Sequence, residues 1–184
     1  MNCDSVRRVH KRLAQAYGPV AKLKHPKGDP LEVLVQTILS QNTTDHNSFR
    51  AYKTLRETFP KWSEVESADS GKIAAAIRQG GLAEIKSLRI QEVLRTIRER
   101  EGRLSLVRLR TVSDEEGIAY LTSLPGVGIK TASCVLLFAL GRPVMPVDTH
   151  VYRVTRRLGW LDDAVKIDDA GAELARCIPP RMVH

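Results

Sequence analysis

Long apolar runs are missing from this chain. No stretch approaches the roughly 20 residues that a membrane-spanning helix needs, and the opening MNCDSVRRVHKRLAQ is polar and basic, unlike a secretory signal. A soluble protein is the expectation. Cysteine is scarce: Cys3, Cys134 and Cys177 lie far apart with no CxxC pair, which implies a reducing, intracellular setting and no metal cluster built within the chain. A framework of disulfides is not needed, since 184 residues suffice for one domain, or two small lobes, with a real core. Low-complexity segments and fixed-period repeats are absent as well.

What is abundant is positive charge. Lys and Arg number 29 against 21 acidic residues, a net charge of +8, and the basic residues are scattered through helical segments, not gathered in a tail. The excess suits a polyanion such as nucleic acid, with an inert basic surface as the plainer reading. Apolar residues recur at spacings of three and four while alternating runs are missing, so the fold class is all-α. The pattern predicts helices near 5–16, 30–40, 44–58, 70–79, 84–99, 114–122, 129–140, 149–158 and 168–176. Asp29-Pro30 has the form of an N-cap with proline in the first turn, and SDEE at 113–116 that of a capping box. Gly80-Gly81, Gly102 and the GRP at 141–143 are stop signals. The segment KTASCVLLFAL is apolar nearly all round and should be a central, buried helix.

At the head of that helix stands LPGVGIKTA, residues 124–132. It is not a phosphate loop of the GxxxxGK[ST] type, because Ile129 separates Gly128 from Lys130 and no strand precedes it. It is a junction between two helices. Gly126 and Gly128 let backbone come close to a ligand, and free N–H groups at a helix start attract phosphate, which fixes register on a nucleic acid without reading bases. A plain turn is the alternative. Lys130 lies in the first helical turn, where the helix dipole and apolar neighbours disfavour its charged form and favour a nucleophilic amine. A lysine that reaches out to solvent is the competing reading. Eighteen residues on, VMPVDTHVYRV places Asp148 at a helix start, where a capping aspartate is anchored by backbone N–H groups and kept ionised.

LPGVGIKTA together with VDTHVYRV resembles the helix-hairpin-helix base-excision DNA glycosylases, and within them the endonuclease III family. The resemblance extends over essentially the whole chain, taking in ILSQNTTD at 38–45 and GLAEIKSLRI at 81–90. It implies two helical lobes flanking a cleft: residues 20–133 as a six-helix lobe, and 1–19 with 134–184 as the second. It implies that Lys130 is the Schiff-base lysine and Asp148 the catalytic carboxylate. Leu124, Gly126, Val127 and Gly128 would be the hairpin on the phosphate backbone, with Thr131 and His150 also in contact with DNA. Gln41, Asn42 and Thr43 resemble the loop that fills the gap left by an extruded base, either Gln41 or Asn42 being the wedge; the alternative is that 42–44 simply cap the next helix.

The activity so implied is removal of damaged bases, oxidised pyrimidines in particular, coupled to strand cleavage at the abasic site. The partner is double-stranded DNA carrying damaged bases or abasic sites, with no membrane involvement, a monomeric protein and a cytoplasmic, nucleoid-associated location. A non-catalytic binding module would need the glycines but neither Lys130 nor Asp148. Base removal without strand cleavage would not need Lys130. The family also carries four cysteines near the C-terminus that hold a [4Fe–4S] cluster. This chain reaches CIPPRMVH without them, so no cofactor is encoded within it, and the expectation is a truncated sequence in preference to a cluster-free form.

Overall fold

The computed structural model describes residues 3–18, 28–179 and 182–183, and within them every regular element is a helix. Ten α-helices follow one another: α1 Cys3–Tyr17, α2 Pro30–Ser40, α3 Asp45–Thr58, α4 Trp62–Ser67, α5 Ser70–Ile77, α6 Ala83–Glu101, α7 Asp114–Thr122, α8 Ile129–Leu140, α9 Thr149–Arg157 and α10 Ala170–Ala175. Among the described residues no helix is long and apolar enough to cross a membrane.

Local chemistry explains the ends. The Asp29 carboxylate accepts from Leu31 N at 2.9 Å with Pro30 in the first turn of α2. Ser113 and Glu116 exchange the two bonds of a capping box at the start of α7, at 3.1 and 2.9 Å. Gly102 and Gly141 close α6 and α8 in the left-handed conformation. Two details differ from the sequence pattern. α4 is additional, six residues held by a Glu64 carboxylate on the Lys61 N–H at 3.2 Å; it is too short to display a 3.6-residue period. α5 stops at Ile77 and tightens into a 3₁₀ turn at Arg78–Gly80.

Two apolar clusters hold the chain. In the first, α2 contributes Leu31, Leu34, Val35, Ile38 and Leu39, all fully buried, against α3, α6 and α8; each such side chain contributes about 1.5–3 kcal/mol over its exposed state. α8 lies in the middle with residues 131–137 buried, as its apolar sequence implied. The second cluster joins Val6 of α1 to Val147, Leu161, Ala170, Leu174 and Ile178. It also carries a correction. Cys3 and Cys177, far apart in sequence and read as separate thiols, form a disulfide, because the chain beyond α10 returns to the start of α1. The lobe boundary expected at 19/20 lies outside the described residues.

Candidate active site

The hairpin is anchored from below and open above. Leu124 and Val127 are 2% and 4% exposed in the first cluster, and the Val127 N–H closes a turn on Leu124 O at 3.2 Å. Gly126 takes φ +68°, which only glycine adopts readily. Gly128 is the N-cap of α8 with no side chain bonding to the helix start, and a Cβ added there would meet nothing within 4 Å. The first N–H groups of α8 therefore face open space.

Lys130 follows at once, exposed on the wall of a cavity of about 520 Å³ that Ser133 and Ile129 of α8, Ile118 of α7, and Met145 and Val147 also line. Asp148, next in sequence to the cavity-lining Val147, is half-buried as the N-cap of α9, its Oδ1 accepting from His150 N at 3.0 Å and Val151 N at 2.8 Å. The strand-like approach to Asp148 is fixed by α10: a Cβ on Gly171 would stand 2.6 Å from Met145 O. Between the two lies Cys134, one turn beyond Lys130 and buried. Burial pushes its thiol pKa up; the Lys130 charge and hydrogen bond oppose this, and the Asp148 charge adds to it. Lys130 and Asp148 thus both act electrostatically on one buried thiol.

The remaining expected residues divide. Thr131 is 4% exposed and faces inward, its hydroxyl accepting from Gln41 Nε2 at 3.4 Å. Gln41 is half-buried, whereas Asn42 beside it is exposed with φ +53°. Thr44, not Asn42 or Thr43, caps α3, accepting from Asn47 N at 3.3 Å. His150 is exposed on α9, with Arg153 Nη2 at 3.0 Å from its Nδ1.

Sequence reading missed three residues of α6 and its approach. Leu82 is exposed with φ +51°. Lys86 is 2% exposed, its Nζ donating to Leu39 O at 2.7 Å and Gly80 O at 2.8 Å, so it staples the turn after α2 to the turn before α6. Arg89 Nη1 donates to Gln41 Oε1 at 2.9 Å. Only the doubled glycine at 80–81 hinted at a turn beside Leu82; nothing local marks the other two.

The family profile described as HhH-GPD superfamily base excision DNA repair protein matches residues 35–180. The chain belongs to the HhH-GPD superfamily. Within it, the sequence is 44% identical over 152 residues to an Arabidopsis thaliana protein named as a DNA glycosylase, covering 83% of this chain and 52% of that one. Endonuclease III of Thermotoga maritima is 37% identical over 137 residues, 74% of this chain and 60% of the relative. The chain thus spans between half and two thirds of these relatives' length. The HhH-GPD fold is also matched by a trapped endonuclease III–DNA covalent intermediate, TM-score 0.79 at 27% identity over 100% of this chain and 85% of that one. A non-covalent endonuclease III–DNA complex gives 0.78 at the same identity and the same coverage. The cysteines present do not fit the [4Fe–4S] cluster that the resemblance implied: Cys3 pairs with Cys177, Cys134 is buried beside Lys130, and among the described residues no group of three or more His, Cys, Asp or Glu is placed to hold a metal.

Proposed function

We propose that the protein is a bifunctional DNA glycosylase and abasic-site lyase acting on double-stranded DNA, with oxidised pyrimidines as the substrate class. The observation that carries this reading is Lys130 on a cavity wall at a glycine-lined helix start with no side-chain cap, with Asp148 capping the next helix. The likeness to endonuclease III at both sequence and fold level supports it.

In this mechanism the phosphate backbone docks on the N–H groups of the hairpin, Leu124, Gly126, Val127 and Gly128, and on the open start of α8. The target nucleotide leaves the stack, and Asn42, exposed at the tip of its turn, fills the gap with Thr43 and Gln41 behind it. The Lys130 amine attacks C1′: an N–C1′ bond forms, the bond from C1′ to the base breaks, and the base departs with a proton. Asp148, anchored by two backbone N–H groups, stabilises the positive charge developing on the sugar and assists the proton transfers. Opening of the sugar ring gives an imine to Lys130. Loss of a C2′ proton then expels the 3′ phosphate by β-elimination, and water releases the enzyme. His150, on the first turn of α9, extends the phosphate contacts.

The cleft in this reading lies between a lobe of residues 20–133 and a second of residues 1–19 and 134–184; two separate apolar clusters favour two lobes, although the first cluster runs on through Val135 and Leu136 of α8. A monomer in the cytoplasm, on the nucleoid, is the proposed setting. Disulfides are uncommon there, and thiol labelling of Cys3 and Cys177 in cells reads the state of that pair directly.

The test is borohydride trapping on a duplex with one abasic site. A covalent adduct with wild type and none with Lys130→Ala is the expected result. No adduct with wild type, while the duplex is still bound, replaces this reading with that of a binding module.

A further inference from the structure

We infer that Arg89 is a positioning residue for base extrusion, locking the turn at 41–44 to the hairpin so that wedge and phosphate grip enter DNA in one register. The inference rests on the glycosylase reading above. Arg89 sits in α6, half-buried, and reaches two DNA-facing loops at once. Its Nη1 donates to Gln41 Oε1 at 2.9 Å. The other end of the same amide donates to Thr131 Oγ1, adjacent in sequence to Lys130. Gln41 is therefore held at both ends and is not free to enter a duplex, which leaves Asn42 as the insertable side chain.

The second contact is with the hairpin. A Cβ at Gly126 would stand 2.3 Å from Arg89 Nε and 2.7 Å from its Cδ, so the arginine lies flat on the hairpin backbone. Gly126 is needed for that close approach as well as for its positive φ. The ion pairs among the described residues do not include Arg89. Of the five N–H donors of a guanidinium, one goes to Gln41, and the rest meet no carboxylate. A lysine could not reproduce this, because it lacks the planar guanidinium that packs along the hairpin backbone while one of its N–H groups reaches Gln41.

The consequence is a rigid strut from α6 to both loops. Displacements of about 1 Å at a reacting centre cost on the order of a hundredfold in rate, so even a partial loosening of the loop is expected to show in the rate. The role predicted for Arg89 is therefore in moving the base, not in general affinity.

The experiment is single-turnover release of 5-hydroxyuracil, an oxidised pyrimidine, from a duplex, at saturating protein, with wild type, Arg89→Ala, Arg89→Lys, Gln41→Ala and the Arg89→Ala/Gln41→Ala double variant. Arg89→Ala is expected to slow release by about tenfold or more, Arg89→Lys to recover little of it, and the double variant to be no slower than the worse single one, as for partners in one network. The defect is expected to shrink when the same base is unpaired in a bulge, where extrusion costs less. An unchanged rate in Arg89→Ala, additive defects, or an equal defect on paired and bulged substrates overturns the inference. Wild type that releases no base from either substrate overturns the glycosylase reading first, and this inference with it.

Discussion

Under the proposed mechanism Asp148 does two jobs with one carboxylate, and substitutions separate them. Asparagine caps a helix about as well as aspartate, so Asp148→Asn is expected to keep the melting temperature within a degree or two, as expected from the near-equal capping preference, while losing most base excision, because no negative charge faces the sugar. Asp148→Ala is expected to lose the activity and also about 1 kcal/mol of stability with the cap. Paired melts and single-turnover assays check both, and a fully active Asp148→Asn would remove charge from the mechanism. The helix-start positions of Lys130 and Asp148, the residues at the centre of the proposed site, were legible in the sequence because local rules assign each a distinct cost or benefit there. Cys134 was not. A thiol inside an apolar run reads as core, and its meeting with Lys130 and Asp148 depends on how α8 packs against the approach to α9.

Among elements, α6 contributes more than its sequence announces. Its N-terminal half carries Lys86 and Arg89, one turn apart, and these brace the turns at 41–44 and 80–82 and the hairpin. Burial lowers the Lys86 pKa below its ordinary 10.5. Between that lowered value and 10.5 the unfolded chain therefore holds more protons than the folded one, and this group's contribution to stability rises with pH across that window. Lys86→Met is expected to remove that rise and to cost about 1–3 kcal/mol for each of the two carbonyls it leaves unpaired; urea midpoints of both proteins at pH 7 and near pH 10 test it. The helices themselves were largely readable, since caps at Asp29 and Ser113 and stops at Gly102 and Gly141 are local. The brace was not readable, because a lysine and an arginine on a charged helix look like solvated surface until the Leu39 carbonyl and the Gln41 amide, 47 and 48 residues away, are placed against them.

At the scale of the whole molecule, the two apolar clusters are unequal. The second is smaller, and the Cys3–Cys177 disulfide closes it. Separation along the chain gave no sign of that pairing, since proximity there is a property of the finished fold. A crosslink over 174 residues removes much of the unfolded chain's freedom, so Cys3→Ser/Cys177→Ser is expected to lose about 2–5 kcal/mol, with a matching drop for wild type under reductant; coincident melts would mean that the bond adds nothing. The same bond makes residues 3–177 a covalent ring. Tension applied at the two ends would travel from α1 through one sulfur–sulfur bond into the tail, and Lys130, Asp148 and the hairpin would carry none of that load until the bond was reduced.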